Sequence, residues 1–227
     1  MAAIAALIFD LDGVLVNTVS LHFRAWAYLA ERYDITFTAD DMPRLRGRQR
    51  RDCLLDLFAG RSLTEAEIAA YLEIKDHYYL DLLSQSTPAD LLTPGASALV
   101  EAARARRLKL GVASSSANAI AVLRYVGLSD SMQAIADGTT VVRSKPAPDI
   151  FIWTAGALGV SPMRCLAFED SHAGMAAAHQ AGMFVVGIGE QCSDQAHVML
   201  PGFEAAALDD ILAAADRYAT GQPEYSV

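Results

Sequence analysis

Four short, mainly apolar runs set the terms for this chain: "AALIFD" (5–10), "KLGVAS" (109–114), "CLAFED" (165–170) and "FVVGIG" (184–189). None shows the polar–apolar alternation of a strand with one wet face. Stretches of helical periodicity cover 94–107, 116–128, 148–159 and 173–182, each ending at Gly or beside Pro. Continuous apolar strands alternating with helices require a parallel sheet covered on both faces. The sequence therefore predicts an α/β fold, a Rossmann-like doubly wound parallel sheet. Ligands of such sheets bind beyond the carboxyl ends of the strands. Asp10, Ser114, Glu169 and Asp170 all fall at such ends, so four segments converge on one edge.

Residues from about 19 to 88 break the alternation. "LHFRAWAYLAERYD", "DDMPRLRG", "RRDCLLDLFAG" and "LTEAEIAAYLEIKDHYYLDLLSQ" are helical throughout. This is expected to be a small all-helical cap domain, residues 18–88, inserted after the first strand of a core formed by 1–17 and 89–227. The hinges are expected near 17–18 and 88–94. The last ten residues read as a loose tail.

With 53% hydrophobic and 20% charged residues among 227, a packed core is expected. The net charge of −9 argues against nucleic acid or an anionic membrane as partner but leaves room for a small anionic substrate. Cys53, Cys165 and Cys192 form no CxxC pair and read as thiols of a reducing compartment. The start of the chain shows no basic leader and no spanning helix, so a cytoplasmic location is expected.

The first strand stops at "FDLDGVLVNT" (9–18). In a strand, alternate side chains point the same way, so Asp10 and Asp12 can face one site. Alone, the pair equally suits a turn that caps a helix. Ser114 in "VASSSAN" suits either a helix N-cap or, with the free N–H groups of the helix start, a phosphate donor. Lys145 in "SKPAPDIF" can be a surface lysine or a fixed phosphate-binding cation. Glu169 and Asp170 in "FEDSHAG" are hard oxygen ligands that suit Mg²⁺.

These four elements, in this order, resemble the haloacid dehalogenase-like superfamily of phosphotransferases. "FDLDGV", "HFRAW", "TPAD", "VASSSAN", "AIAD", "SKPAPDIF" and "EDSHAG" match most nearly its β-phosphoglucomutase subfamily, cap included. The resemblance implies that Asp10 is the nucleophile that becomes phosphorylated and Asp12 the general acid/base. It implies one Mg²⁺, held by Asp10, the backbone carbonyl of Asp12 and Asp170, with Glu169 supporting them. Ser114 and Lys145 would hold the transferring phosphate. From the cap it implies His22, Trp26, Gly47, Arg50 and Lys75 as substrate-binding residues, with His22 and Lys75 steering Asp12. Ser116 and Asn118 would join them from the core. Arg50 suits a bidentate grip on the distal phosphate; the other arginines of "RLRGRQRR" read as a solvated face. Asn17, Ala117 and Cys53 depart from the subfamily's usual residues.

The implied reaction interconverts β-D-glucose 1-phosphate and glucose 6-phosphate through the 1,6-bisphosphate, in a monomer. A sugar-phosphate phosphatase would use the same core residues, but would need neither the Arg50 grip nor the His22–Lys75 pair. A non-catalytic binding role fits poorly with an intact Asp10, Asp12, Lys145 and Asp170.

Overall fold

The computed structural model describes residues 3–189, 195–205 and 207–220. Six parallel strands form one sheet: β1 (Ala6–Phe9), β2 (Lys109–Ala113), β3 (Ala134–Ala136), β4 (Cys165–Glu169), β5 (Phe184–Ile188) and β6 (Val198–Leu200). Their order is β3-β2-β1-β4-β5-β6. β1 is central, and the order reverses direction beside it, which opens the crevice where doubly wound sheets bind ligands.

Both faces of the sheet are buried, as the apolar strands require. Leu7 and Phe9 of β1 join Leu110, Val112, Leu166 and Phe168 on one face. Ala6 and Ile8, pointing the other way, join Ala113, Cys165 and Ala167.

The insert after β1 begins with α1 (Val19–Arg32), α2 (Met42–Leu45), α3 (Arg50–Leu57) and α4 (Glu65–Gln85). These helices have their own core, in which Trp26, Leu29, Cys53, Leu54 and Phe58 are buried. α4 starts at a capping box: Thr64 N–H donates to Glu67 Oε2 (2.8 Å), and Glu67 N–H to Thr64 Oγ1 (3.3 Å). The roots of α1 and α4 (Leu21, Ala25, Tyr79, Leu82 and Leu83) sink into the core on the Phe9 face of the sheet. A short helix, α5 (Pro88–Leu91), marks the return. The two connections run side by side: Asn17 N–H donates to Leu91 O (2.7 Å) and Thr93 N–H to Leu15 O (3.1 Å).

The remaining helices, α6 (Ala96–Ala105), α7 (Ala119–Tyr125), α8 (Asp149–Ala157), α9 (His172–Gln180) and α10 (Leu208–Thr220), cover the sheet. α10 extends through Tyr218–Thr220, the first part of the expected loose tail; residues 221–227 lie outside the described residues. Leu208, Ile211 and Ala215 are the positions that bury α10 against the core. Cys53 and Cys165 are buried free thiols, each pushed up to about 12 chiefly by burial. Cys192 lies outside the described residues. Among those residues, no helix is long and apolar enough to cross a membrane.

Candidate active site

Asp10 follows β1 directly, and its N–H donates to Phe168 O of β4 (2.9 Å), which fixes it against the neighbouring strand. β4 then delivers Glu169 and Asp170. Lys145 closes the group: its Nζ donates to Asp10 Oδ1 (2.6 Å) and to Glu169 Oε1 (2.5 Å). The other Glu169 oxygen, Oε2, accepts the N–H groups of Asp170 (2.9 Å) and Ser171 (3.0 Å) and the Ser171 hydroxyl (3.0 Å). Glu169 is fully buried, with donors on both oxygens, and acts as the anchor of the group. Ser171 also caps α9, accepting the Gly174 N–H (3.0 Å). A Cβ on Gly174 would lie 1.7 Å from Glu169 Oε1, so only glycine fits there.

Oxygens of Asp10, Glu169 and Asp170 lie within 4.8 Å of one another. Three buried carboxylates face one ammonium, Lys145, and one guanidinium, Arg46, which leaves negative charge to be matched. Burial foremost, with Glu169, Asp170 and Asp12 adding to it and Lys145 opposing, holds the Asp10 carboxyl well above the usual range. Burial and Glu169 push Asp170 up to about 7 in spite of Arg46. A compact set of hard oxygen donors with excess negative charge fits a small divalent cation such as Mg²⁺.

Asp12 sits apart from that group. Its Oδ1 accepts from Thr18 Oγ1 (2.5 Å) and lies 3.1 Å from His22 Nε2. Lys75 Nζ lies 3.4 Å from His22 Nδ1. An ammonium can only donate, so Nδ1 is the acceptor and Nε2 carries the proton toward Asp12. Burial works to raise the Asp12 carboxyl, but His22, Thr18 and Lys75 outweigh it and hold the carboxyl below the usual range. Lys75 is itself pulled down to about 8 by burial, against the attraction of Asp12.

Part of this group faces a cavity between the sheet edge and the inserted helices. Asp10, Asp12, His22, Trp26, Gly47, Arg50, Lys75, Ser116, Asn118 and Asp170 all line it. Trp26 plays two parts: it is buried in the core of the insert, and its ring lies 5.3 Å from Lys75 Nζ. Arg50 lines the cavity while paired with Asp76, whose Oδ1 lies 3.4 Å from Asn118 Nδ2. Gly47, in a left-handed conformation (φ 74°), brings the insert onto the sheet edge; its carbonyl accepts from Ser115 Oγ (2.7 Å).

Ser114 lies behind the wall of the cavity. It is fully buried, does not line the cavity, and its hydroxyl accepts the Ser116 N–H (3.0 Å). It ties down the loop that presents Ser115, Ser116 and Asn118 by a local side-chain-to-backbone turn, while Asn118 is the N-cap of α7. Lys145 likewise lies behind Asp10 rather than on the cavity wall. The arginines beside Arg50 are not all a solvated face either. Arg46 pairs with Asp170, and Arg48 donates to Asp56 (2.8 Å). Arg46, Thr18, Ser115 and Asp76 are site residues that sequence reasoning missed. The position of Arg46 directly before Gly47 was the one available signal for it.

An α/β core with a carboxylate–lysine cluster at its central strand, roofed by inserted helices, is that of a haloacid dehalogenase-like enzyme. The haloacid dehalogenase-like hydrolase family matches residues 4–182, and the chain belongs to it. It is 43% identical over 189 residues to the β-phosphoglucomutase of Bacillus subtilis (strain 168), covering 82% of this chain and 83% of that protein. It is 32% identical over 188 residues to a validoxylamine A 7'-phosphate phosphatase of Streptomyces hygroscopicus subsp. limoneus, covering 80% and 84%. The solved structure of a β-phosphoglucomutase from Clostridium difficile superposes with a TM-score of 0.92 at 32% identity, covering 96% of this chain and 99% of that one.

Proposed function

We propose that the protein is a β-phosphoglucomutase, interconverting β-D-glucose 1-phosphate and D-glucose 6-phosphate through β-D-glucose 1,6-bisphosphate. The observation that carries this reading is the chain Lys75–His22–Asp12, in which groups of the insert hold the carboxylate beside the nucleophile. A phosphatase that hands its phosphoryl group to water has no need to tie its acid/base to the lid. The 43% identity to the Bacillus mutase supports the same assignment.

Asp10 attacks the phosphorus of the bisphosphate, and the bond from phosphorus to the sugar oxygen breaks as the aspartyl phosphate forms. Asp12 gives a proton to that departing oxygen. In the other half-reaction Asp12 takes the proton from the 6-hydroxyl of β-glucose 1-phosphate as that oxygen attacks the phospho-aspartate and the bond from phosphorus to Asp10 breaks; the bisphosphate so formed turns end for end before the next transfer to Asp10. The His22 N–H and the Thr18 hydroxyl hold Asp12 in place for both steps. Lys145 keeps Asp10 oriented and offsets phosphate charge. Arg50, with Ser116 and Asn118, grips the distal phosphate after leaving Asp76. Ser114 orders that loop from behind. Asp10, the Asp12 carbonyl and Asp170, with Glu169 behind them, would hold Mg²⁺, which when bound would supply the charge neutralisation a carboxylate needs to approach a phosphate. The seated insert excludes water, so that the phospho-aspartate meets a sugar hydroxyl.

In this reading residues 1–17 and 89–227 form the core and 18–88 the cap, and the protein acts as a cytoplasmic monomer. The test supplies β-glucose 1-phosphate, Mg²⁺ and a trace of the bisphosphate, and follows glucose 6-phosphate and free phosphate together. Glucose 6-phosphate forming far faster than phosphate is the expected result. Dominant phosphate release would make the protein a sugar-phosphate phosphatase; the name of its Streptomyces relative is likewise that of a phosphatase.

A further inference from the structure

Arg46 belongs to the insert, on the link between α2 and α3, yet its guanidinium pairs with Asp170 at the end of β4, 124 residues away. Asp170 is one of the three carboxylates suited to hold the divalent cation. Those three are otherwise faced by Lys145, and Arg46 brings a second positive charge. Space around Asp170 is tight. The residue is only 7% exposed, and a Cβ on Gly13 would lie 1.8 Å from Asp170 Oδ2 and 3.2 Å from Arg46 Nη2. A magnesium ion needs a carboxylate oxygen at about 2.0–2.1 Å. A guanidinium nitrogen needs the same oxygen at about 2.8 Å.

We propose that Arg46 and the divalent cation compete for Asp170, so that metal entry and the seating of the insert on the core are coupled. Arg46 is a positioning residue in this scheme. It is followed by Gly47, whose carbonyl takes the Ser115 hydroxyl, the contact that pins the insert to the sheet edge. Drawing Arg46 off Asp170 pulls on that contact. Metal binding to the substrate-free protein therefore loosens the insert, and seating the insert on the metal-free protein holds Asp170 with the protein's own cation. The coupling is reciprocal: removing Arg46 strengthens metal binding by the factor the competition had cost. Arg46 also lines a second, more open cavity with Gly13, Asn17, Thr93 and Asp170, so the pair stands in the wall between that opening and the substrate cavity.

The test needs no substrate, so its failure is distinct from failure of the mutase reading. Chelator-stripped wild type, Arg46→Gln and Arg48→Gln are titrated with Mg²⁺ by calorimetry. Arg48→Gln removes the same charge nearby, from a residue bound to Asp56 rather than Asp170. Arg46→Gln is expected to bind Mg²⁺ about tenfold more tightly than wild type, about 1.4 kcal/mol, with Arg48→Gln close to wild type. Hydrogen exchange over 42–57 and 114–118 is expected to quicken in wild type on adding Mg²⁺. In Arg46→Gln it should already be fast and unresponsive. Equal or weaker Mg²⁺ binding by Arg46→Gln overturns the proposal. So does equal tightening in Arg48→Gln, which would show a diffuse field effect, and so does wild-type exchange that Mg²⁺ leaves unchanged or slows.

Discussion

Replacing Gly174 by alanine would ordinarily stabilise a helix, by about 1 kcal/mol. Here the sign should reverse. The added Cβ would stand 1.7 Å from Glu169 Oε1, 1.9 Å from its carboxyl carbon and 2.3 Å from Oε2. Glu169 cannot swing aside without leaving Lys145 and the donors of Asp170 and Ser171. Hydrogen bonds to a charged group are worth roughly 1.5–3 kcal/mol each, and some would re-form after a small shift. A net loss of about 3 kcal/mol is therefore expected once the helix gain is set against it, with Lys145 left short of one buried counter-ion. For a chain of this size that corresponds to a fall in Tm of roughly 6–12 °C. Thermal unfolding by circular dichroism, in chelator so that metal binding does not contribute, reads it directly. A Tm equal to or above that of wild type would refute the argument that Glu169 is locked against the start of α9.

Other expectations follow from the same geometry. Thr18→Val keeps the shape but removes a donor to Asp12, so the Asp12 carboxyl rises and the acid limb of the kcat–pH profile moves to higher pH; an unmoved limb counts against Thr18. Lys75, held at about 8, loses its proton earlier in the folded chain than in the unfolded one, whose lysine titrates near about 10.5. The unfolded state then binds more protons between those values, so the stability of wild type relative to Lys75→Met should rise with pH across that window, as measured by urea denaturation. Arg50→Met should raise KM for the sugar phosphate by about tenfold or more while the phospho-aspartate still forms, as measured by rapid quench; an unchanged KM would remove Arg50 from the distal grip. Asp10→Asn should abolish the phosphoenzyme, with turnover down by about a thousandfold or more.

The central strands β1, β2, β4 and β5 were legible because each is a continuous apolar run, and their ends named Asp10, Glu169 and Asp170. β3 and β6 were not legible. Each has three residues, and β6 is only partly buried throughout, so nothing in the local pattern separates it from a loop. The amphipathic pattern of α10 runs into a polar end whose sequence looks like a tail. In the site, residues that act from a strand end could be found from sequence. Arg46 has only its place before Gly47 to mark it, because its partner lies far along the chain and it is one of six arginines in 44–61. Thr18 depends on the chain reversing after Gly13 to come back over Asp12, which only the fold supplies. Ser114 sat at the expected strand end, but the turn directed its hydroxyl to the backbone of the next loop.

The paired connections at Asn17–Leu91 and Leu15–Thr93 bring the entry and exit of the insert together, hydrogen-bonded to each other. Ordering the long excursion between them demands little of the sheet, since its ends already meet. On the side of the insert away from the Gly47–Ser115 and Arg46–Asp170 contacts, its helices can lengthen, shorten or change composition without shifting β1 against β4. The carboxylates of the sheet edge thus travel with the sheet, and the excursion reaches them through the few residues that touch Asp12, Asp170 and Ser115.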